Sequence, residues 1–296
     1  MNFKDRIKLI LSFPINKFCQ LAYKKPSVMS DTQTLNYVLD NECSVARFGD
    51  GEFDLMCGIG IKFQKADKTL KRRLNQIAKF CRKNYNDGCL ICLPNVFSQK
   101  KNREVFVKTS YGWWKRFLTF TKGLWYKKFS SKSFIYGDTN ISRFYMEVND
   151  KKRTYEYVNQ LKKIWDEKNI VFVEGIKSRL GEGNDLFDNA ASVKRILCPS
   201  ANAFEKYDTI LSRVMALTTK TDLIICALGP TATVLCYDLY LNGRRAIDLG
   251  HIDVEYEWFR MGATEKVSVL GKDVSETKNE LKDGVFNSEE DVLEVI

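Results

Sequence analysis

Long apolar runs are missing from this chain. No segment approaches the roughly 18–20 consecutive apolar residues that carry a helix across a bilayer, so a helical membrane span is not expected. Proline is scarce, 5 in 296 residues, and no low-complexity linker or internal repeat interrupts the sequence, which reads as one domain with ragged ends. There is no CxxC…CxxC pair, which argues against a zinc ribbon, and no RRM, KH or zinc-finger pattern, which argues against nucleic acid as the partner. Neither GxxxxGK[ST] nor GxGxxG occurs, so the common phosphate loops are excluded. No GxSxG elbow is present and no cysteine sits at a marked strand exit, which disfavours a nucleophile triad. Histidine occurs once, at His251.

What is present permits a sizeable core: 44% of residues are hydrophobic and 28% charged. The formal net charge of +10 points to phosphates, nucleic acid or an anionic membrane surface without choosing among them. The nine cysteines mostly sit inside apolar runs such as Cys89–Leu93, where a thiol behaves as a small buried hydrophobe. That usage fits a reducing cytoplasm. Residues 1–30 combine Lys4, Arg6, Lys8, Lys17, Lys24 and Lys25 with Ile7, Leu9, Ile10, Leu11, Phe13 and Phe18. They read as a basic amphipathic segment, either seeking a membrane surface as a peripheral contact or packed on the domain. Residues 31–270 form the main domain. Residues 271–296 are acidic and polar, a peripheral tail that is either a helix or a loose end.

Between the ends, short apolar runs alternate with helical periodicity. Val45–Phe48, Cys89–Leu93, Phe134–Tyr136, Ile170–Val173, Val193–Leu197, Leu223–Leu228 and Arg245–Leu249 read as strands. Several are continuously apolar, as expected of strands buried on both faces. Gly229-Pro230 opens a helix that Asn242-Gly243 stops, giving a strand–helix–strand unit. The fold class is therefore α/β: a Rossmann-like, mostly parallel sheet with helices on both faces, in a single domain. In such sheets ligands bind beyond the carboxyl ends of the strands.

Four strand exits carry polar groups. At Arg47-Phe48-Gly49-Asp50-Gly51-Glu52, Gly49 and Gly51 bracket a tight turn on which Asp50 and Glu52 can face one cation. Hard carboxylate oxygens suit Mg²⁺ or Mn²⁺, and Arg47 offers a fork for phosphate. Plain capping of the next helix by the two acids is the alternative. A Gly-rich loop follows Val173, with Lys177, Ser178 and Arg179 able to meet phosphates and Gly183, Asn184 and Asp185 able to read a sugar. At the third exit Gly229, Pro230, Thr231 and Thr233 form a helix N-terminus suited to an anion, or simply a capped one. The fourth is Asp248-Leu249-Gly250-His251-Ile252-Asp253, where His251 could ligate a metal or touch a phosphate. Separately, Tyr111–Phe117 is aromatic and basic. It reads as a stacking surface for acceptor sugars or RNA bases, or as a helix packing its aromatics inward.

Taken in order, Arg47–Phe53, Ile141–Met146, Val173–Gly175 with Ser178–Gly181 and Gly183–Phe187, Arg195–Pro199 with Asn202–Phe204, Leu228–Thr233, and Asp248–Asp253 running into Glu255–Trp258 resemble the GT-D fold glycosyltransferases of bacteria. The resemblance covers roughly residues 40–262. It implies a Rossmann-like transferase that uses a UDP-sugar and a divalent metal, usually Mn²⁺, in making bacterial surface glycoproteins or polysaccharides, with glucose as the expected hexose. The family's DxE pair falls on Asp50 and Glu52, as metal ligands with Asp50 central to catalysis, and its histidine falls on His251, near metal and diphosphate. Bottom-up chemistry agrees, since a nucleotide-sugar transferase must neutralise a leaving diphosphate. If the reaction inverts, a carboxylate serves as general base. Asp253 and Asp248 are the choices for that role, while Asp185 would instead hold the donor sugar. The partners expected are the sugar donor and a glycan acceptor. The other readings are a nucleotidyl or phosphoryl transferase, or a basic module binding nucleic acid or membrane.

Overall fold

In the computed structural model, which describes residues 13–83, 88–98, 103–272 and 291–296, nine short strands build one sheet. They are β1 Ser27–Val28, β2 Ser44–Arg47, β3 Cys89–Leu93, β4 Ile135–Asp138, β5 Asn169–Gly175, β6 Ser192–Cys198, β7 Leu223–Ala227, β8 Arg245–Asp248 and β9 Val292–Val295. Their order is β1-β4-β3-β2-β8-β7-β5-β6-β9, and all the strand pairs are parallel. The helices are α1 Phe13–Ala22, α2 Asp31–Asn41, α3 Asp50–Met56, α4 Lys68–Lys83, α5 Lys108–Phe129, α6 Thr154–Lys162, α7 Tyr207–Leu217, α8 Pro230–Leu241 and α9 Ile252–Arg260.

The continuously apolar strands are explained by two separate cores. Ala46, Ile91, Val171, Val173, Ile224 and Cys226 join one cluster with side chains of α3, α4, α5, α7 and α8. The alternate residues Val45, Leu90, Cys92, Ile170, Phe172, Leu223 and Ile225 join the other, with α2, α6 and α9. Strand side chains alternate between faces, so a sheet covered on both sides needs an apolar residue at every position. Helix α8 shows the same logic: Pro230 to Leu239 are all buried, because it packs on β2 and β8 while meeting α4 and α7. All of this matches the α/β expectation.

One terminal expectation needs revision. The tail read as a helix or loose end finishes instead as β9, paired with β6 at one edge of the sheet and tied by an Arg213–Glu294 ion pair at 2.6 Å. The strand's own residues, Val292-Leu293-Glu294-Val295, are mostly apolar; the acidic, polar stretch before them hid it, and its pairing partner lies far upstream. At the other end, α1 packs against α5: Asn16, fully buried, accepts from the Gly123 N–H at 2.6 Å and donates to the Thr119 carbonyl at 3.0 Å. The helix expected to lie on the domain does so, and its opposite side leaves Phe18 and Leu21 exposed. Residues 1–12 of the basic segment lie outside the described residues. No helix among the described residues is long and apolar enough to cross a membrane.

Candidate active site

A cleft of about 1140 Å³ opens across the carboxyl ends of the strands, where the parallel-sheet rule places ligands. It is lined from the β2 exit by Arg47, Gly49, Asp50, Gly51 and Glu52, from the β5 exit by Ser178, from the β7 exit by Gly229, and from the β8 exit by Asp248, His251 and Asp253. Four separate stretches of sequence therefore meet in one place.

Asp50 and Glu52 occupy the first turn of α3. Glu52 turns back to accept from the Gly49 N–H at 2.6 Å, the acid's half of a capping box, which glycine cannot return. A Cβ at residue 49 would stand 3.0 Å from that carboxylate oxygen, so glycine gives the acid its room. Burial pushes Glu52 up to about 7, and the negative charges of Asp248 and Asp50 add to the push. Asp50 presents to the open cleft, but the surrounding walls strip its carboxyl of water. That desolvation raises its pKa, with Arg143 opposing and Glu147 reinforcing the shift. The negative charges of Asp248 and Asp50 thus both bear on Glu52, an arrangement that a cation relieves.

The donor set fits a hard divalent ion seated on two carboxylates, with its remaining positions left to phosphate and water. It does not form a closed cage: among the described residues no group of three or more His, Cys, Asp or Glu side chains is arranged to hold a metal. His251 stands at the N-cap of α9 with φ 72°, in the cleft wall but not in such a cluster with Asp50 and Glu52.

Arg47 is not a spare phosphate fork. Its guanidinium donates to Asp248 Oδ1 at 2.7 Å, Ser142 Oγ at 2.5 Å, the Thr139 carbonyl at 3.3 Å and the Gly250 carbonyl at 3.2 Å. It braces the β4 and β8 exits against β2. A side chain at 250 would come 3.2 Å from the guanidinium, which is why glycine follows Leu249. Asp253 is equally committed. Its Oδ1 accepts from the Gly181 N–H at 3.1 Å and Asn184 Nδ2 at 2.7 Å, and Oδ2 is paired with Lys272. Desolvation raises its pKa while the Lys272 charge holds it down. Both expected general bases, Asp248 and Asp253, thus have a carboxylate oxygen already bound to a cationic side chain.

The Gly-rich loop largely turns away from the cleft. Arg179, Gly183, Asn184 and Asp185 do not line it. Asn184 bridges Asp253 and Glu257, at 2.6 Å from the latter, and Asp185 accepts from Tyr256 Oη at 2.8 Å. The reason is that α9 presents its polar first turns to this loop. The β7 exit is also less open than expected. Pro230 has no N–H to offer, and the amides of Thr231 and Ala232 donate to the Leu228 and Gly229 carbonyls. Thr233 Oγ1 donates to the Arg47 carbonyl at 2.7 Å, and Thr231 Oγ1 is buried with no partner. Only Gly229 reaches the cleft from this group, with φ 51° and the Phe63 ring 2.6 Å from where a Cβ would be.

Several lining residues carry no strong sequence signal. Arg143, Glu147 and Lys151 come from the stretch after β4, Lys62, Phe63 and Gln64 from the loop before α4, and Lys266 from beyond α9. Glu147 pairs with Arg143 at 3.2 Å and with Lys266 at 3.1 Å. Of these only Arg143 lies in a stretch that the sequence singled out, Ile141–Met146.

With this geometry established, the chain can be compared with known proteins. The pattern of the glycosyltransferase GT-D fold family matches residues 45–277. A probable glycosyl transferase, Gly, of Streptococcus gordonii is 41% identical over 258 residues, covering 84% of this chain and 35% of that protein. The glycosyltransferase GlyD of Streptococcus pneumoniae serotype 4 is 37% identical over 244 residues, covering 82% of this chain and 29% of that protein. The chain thus spans about a third of the length of these relatives. A solved glycosyltransferase from Streptococcus sanguinis, carrying the domain of unknown function 1792, superposes with a TM-score of 0.84 at 38% identity, over 92% of this chain and 100% of that one. Another structure of that domain, described as a distinct glycosyltransferase fold, gives a TM-score of 0.83 at 38% identity, over 97% and 99% of the two chains.

Proposed function

Because the chain belongs to the glycosyltransferase GT-D fold family, we propose that it moves a hexose from a UDP-sugar to a glycan acceptor, with Mn²⁺ or Mg²⁺ held at Asp50 and Glu52. Glucose is the hexose favoured by the family resemblance. The setting we propose is the synthesis of bacterial surface glycoprotein or polysaccharide at the cytoplasmic side of the membrane.

The observation that carries this reading is that Asp50, Glu52 and Asp248 all line the strand-end cleft, where burial pushes the Glu52 carboxyl up to about 7 and the charges of Asp248 and Asp50 add to the push. Carboxylates so placed oppose each other unless a cation or a proton joins them. The bound cation would supply the charge that stabilises the departing diphosphate. The chain itself does the rest. Lys62, Arg143, Lys151 and Lys266 line the cleft and offer further positive charge to phosphate oxygens. Arg47 fixes the spacing of the β2, β4 and β8 exits through its four hydrogen bonds. In the transfer, the bond from the anomeric carbon to the diphosphate oxygen breaks, a bond to an acceptor hydroxyl oxygen forms, and that hydroxyl proton leaves with a base.

Thermal melting tests the donor and the metal together. UDP with Mn²⁺ should raise the melting temperature by more than the two separate effects combined, and Glu52→Gln should abolish the excess. Equal shifts in the wild type and the variant would contradict the seat, and no shift with any UDP-sugar and metal would contradict the donor class.

A further inference from the structure

We propose that Trp113 is the platform on which the acceptor stacks, its indole face receiving a pyranose ring at the rim of the cleft. This rests on the glycosyltransferase reading and adds the place and chemical class of the second substrate.

Trp113 lines the cleft and remains 38% exposed. Its geometry is that of a one-sided platform. Phe117 lies against one face, with ring centroids 5.0 Å apart and planes 16° from parallel. Trp114 stands perpendicular to both rings, 4.8 Å from Trp113 and 5.8 Å from Phe117. A ring lying over the far face of Trp113 would be much farther from Phe117 than this, so Trp114 flanks the stacked pair. Among the described residues no aromatic ring lies over the outer indole face.

The platform is rooted in the catalytic wall. Phe117 meets Phe53 edge-on at 6.1 Å, and Phe53 stacks on the fully buried Trp125 at 4.6 Å and 9°. Phe53 adjoins Glu52 on α3, so one aromatic ladder fixes the platform relative to the carboxylates. Thr109, Ser110 and Arg116 line the cleft beside it. A pyranose offers the matching surface: an apolar C–H face for the ring and hydroxyls for the polar rim.

Sheet order sets this site apart from the β5 and β7 exits. Helix α5 joins β3 to β4, on one side of β2. Gly229 and Ser178 leave β7 and β5, on the other side of β2. With the donor's base at those exits and its diphosphate at Asp50 and Glu52, the acceptor takes the Trp113 side; a base stacked on Trp113 is the alternative that the test separates.

The test measures UDP release with Mn²⁺ and the UDP-sugar that the wild type hydrolyses fastest. It is run in water alone and with methyl glucopyranoside, cellobiose or N,N′-diacetylchitobiose as acceptor probes. The expected result is that at least one probe accelerates release, that Trp113→Ala raises the KM for that probe by about tenfold or more, as removal of a stacking face implies, and that Trp113→Phe restores most of it. The KM for the UDP-sugar should change far less than the KM for the probe. Three outcomes would overturn the proposal: no probe accelerates the wild type, Trp113→Ala leaves the probe KM unchanged, or it raises the UDP-sugar KM equally, which would make Trp113 a uracil platform. Failure of UDP release in the wild type would instead contradict the transferase reading itself.

Discussion

Glu255 is fully buried, and no side chain among the described residues forms an ion pair with it. Its Oε2 accepts from the Tyr145 and Met146 N–H groups at 2.9 and 2.8 Å, and its Oε1 is buried with no partner. Burial pushes its carboxyl from 4.5 up to about 7, with Arg143 opposing. Between those values the folded chain keeps a proton that the unfolded chain releases. Stability therefore falls as pH rises through that window, by at most about 1.4 kcal/mol per pH unit for one group. Glu255→Gln retains an oxygen for the two N–H donors, so it should keep the fold and flatten the decline. Urea denaturation at a series of pH values measures this, and an unchanged slope would contradict it. The neighbouring acids at the cleft were visible in the sequence as residue types at strand exits, but their roles were not. Nothing local in the sequence says that Asp253 reaches Lys272, nineteen positions on, or that Asn184 serves α9 rather than a ligand.

Among the elements, α1 and α5 meet through a contact too close for any side chain but hydrogen. A Cβ on Gly123 would lie 1.9 Å from the Asn16 carbonyl oxygen. Gly123→Ala should therefore force α1 off its seat, although alanine is the better helix former by about 1 kcal/mol. Limited proteolysis should show cleavage near residues 13–25 in the variant and protection in the wild type, and equal protection would contradict the contact. The strand exits after β2, β7 and β8 were legible because each joins an apolar run to a glycine. The aromatic stretch 111–117 was only half legible. Within it Tyr111, Trp114 and Phe117 pack partly buried against the core, while Trp113 is exposed and lines the cleft.

For the whole molecule, alternation of strand and helix announced a parallel sheet covered on both faces. The strand order did not follow from it, because β4 and β5 are consecutive in sequence yet separated in the sheet by β3, β2, β8 and β7. The edge strand β9 was hidden for the same reason: pairing with β6 is a long-range decision that a short apolar run after an acidic stretch does not advertise. Deleting residues 291–296 should strip β6 of its outer neighbour and expose an unpaired edge. Lower thermal stability and faster aggregation on heating are expected, measurable by scanning calorimetry and light scattering, and wild-type behaviour would show that β9 adds nothing.

These scales meet at Asp50, which faces the cleft from the turn that β2 feeds and the Arg47 brace positions. The most direct measurement is UDP release from a panel of UDP-sugars with Mn²⁺, comparing the wild type with Asp50→Ala. The account predicts turnover with at least one donor, lost on chelation, and a fall of about 100-fold or more in the variant with its melting temperature preserved. Undiminished release by a well-folded Asp50→Ala protein would contradict it.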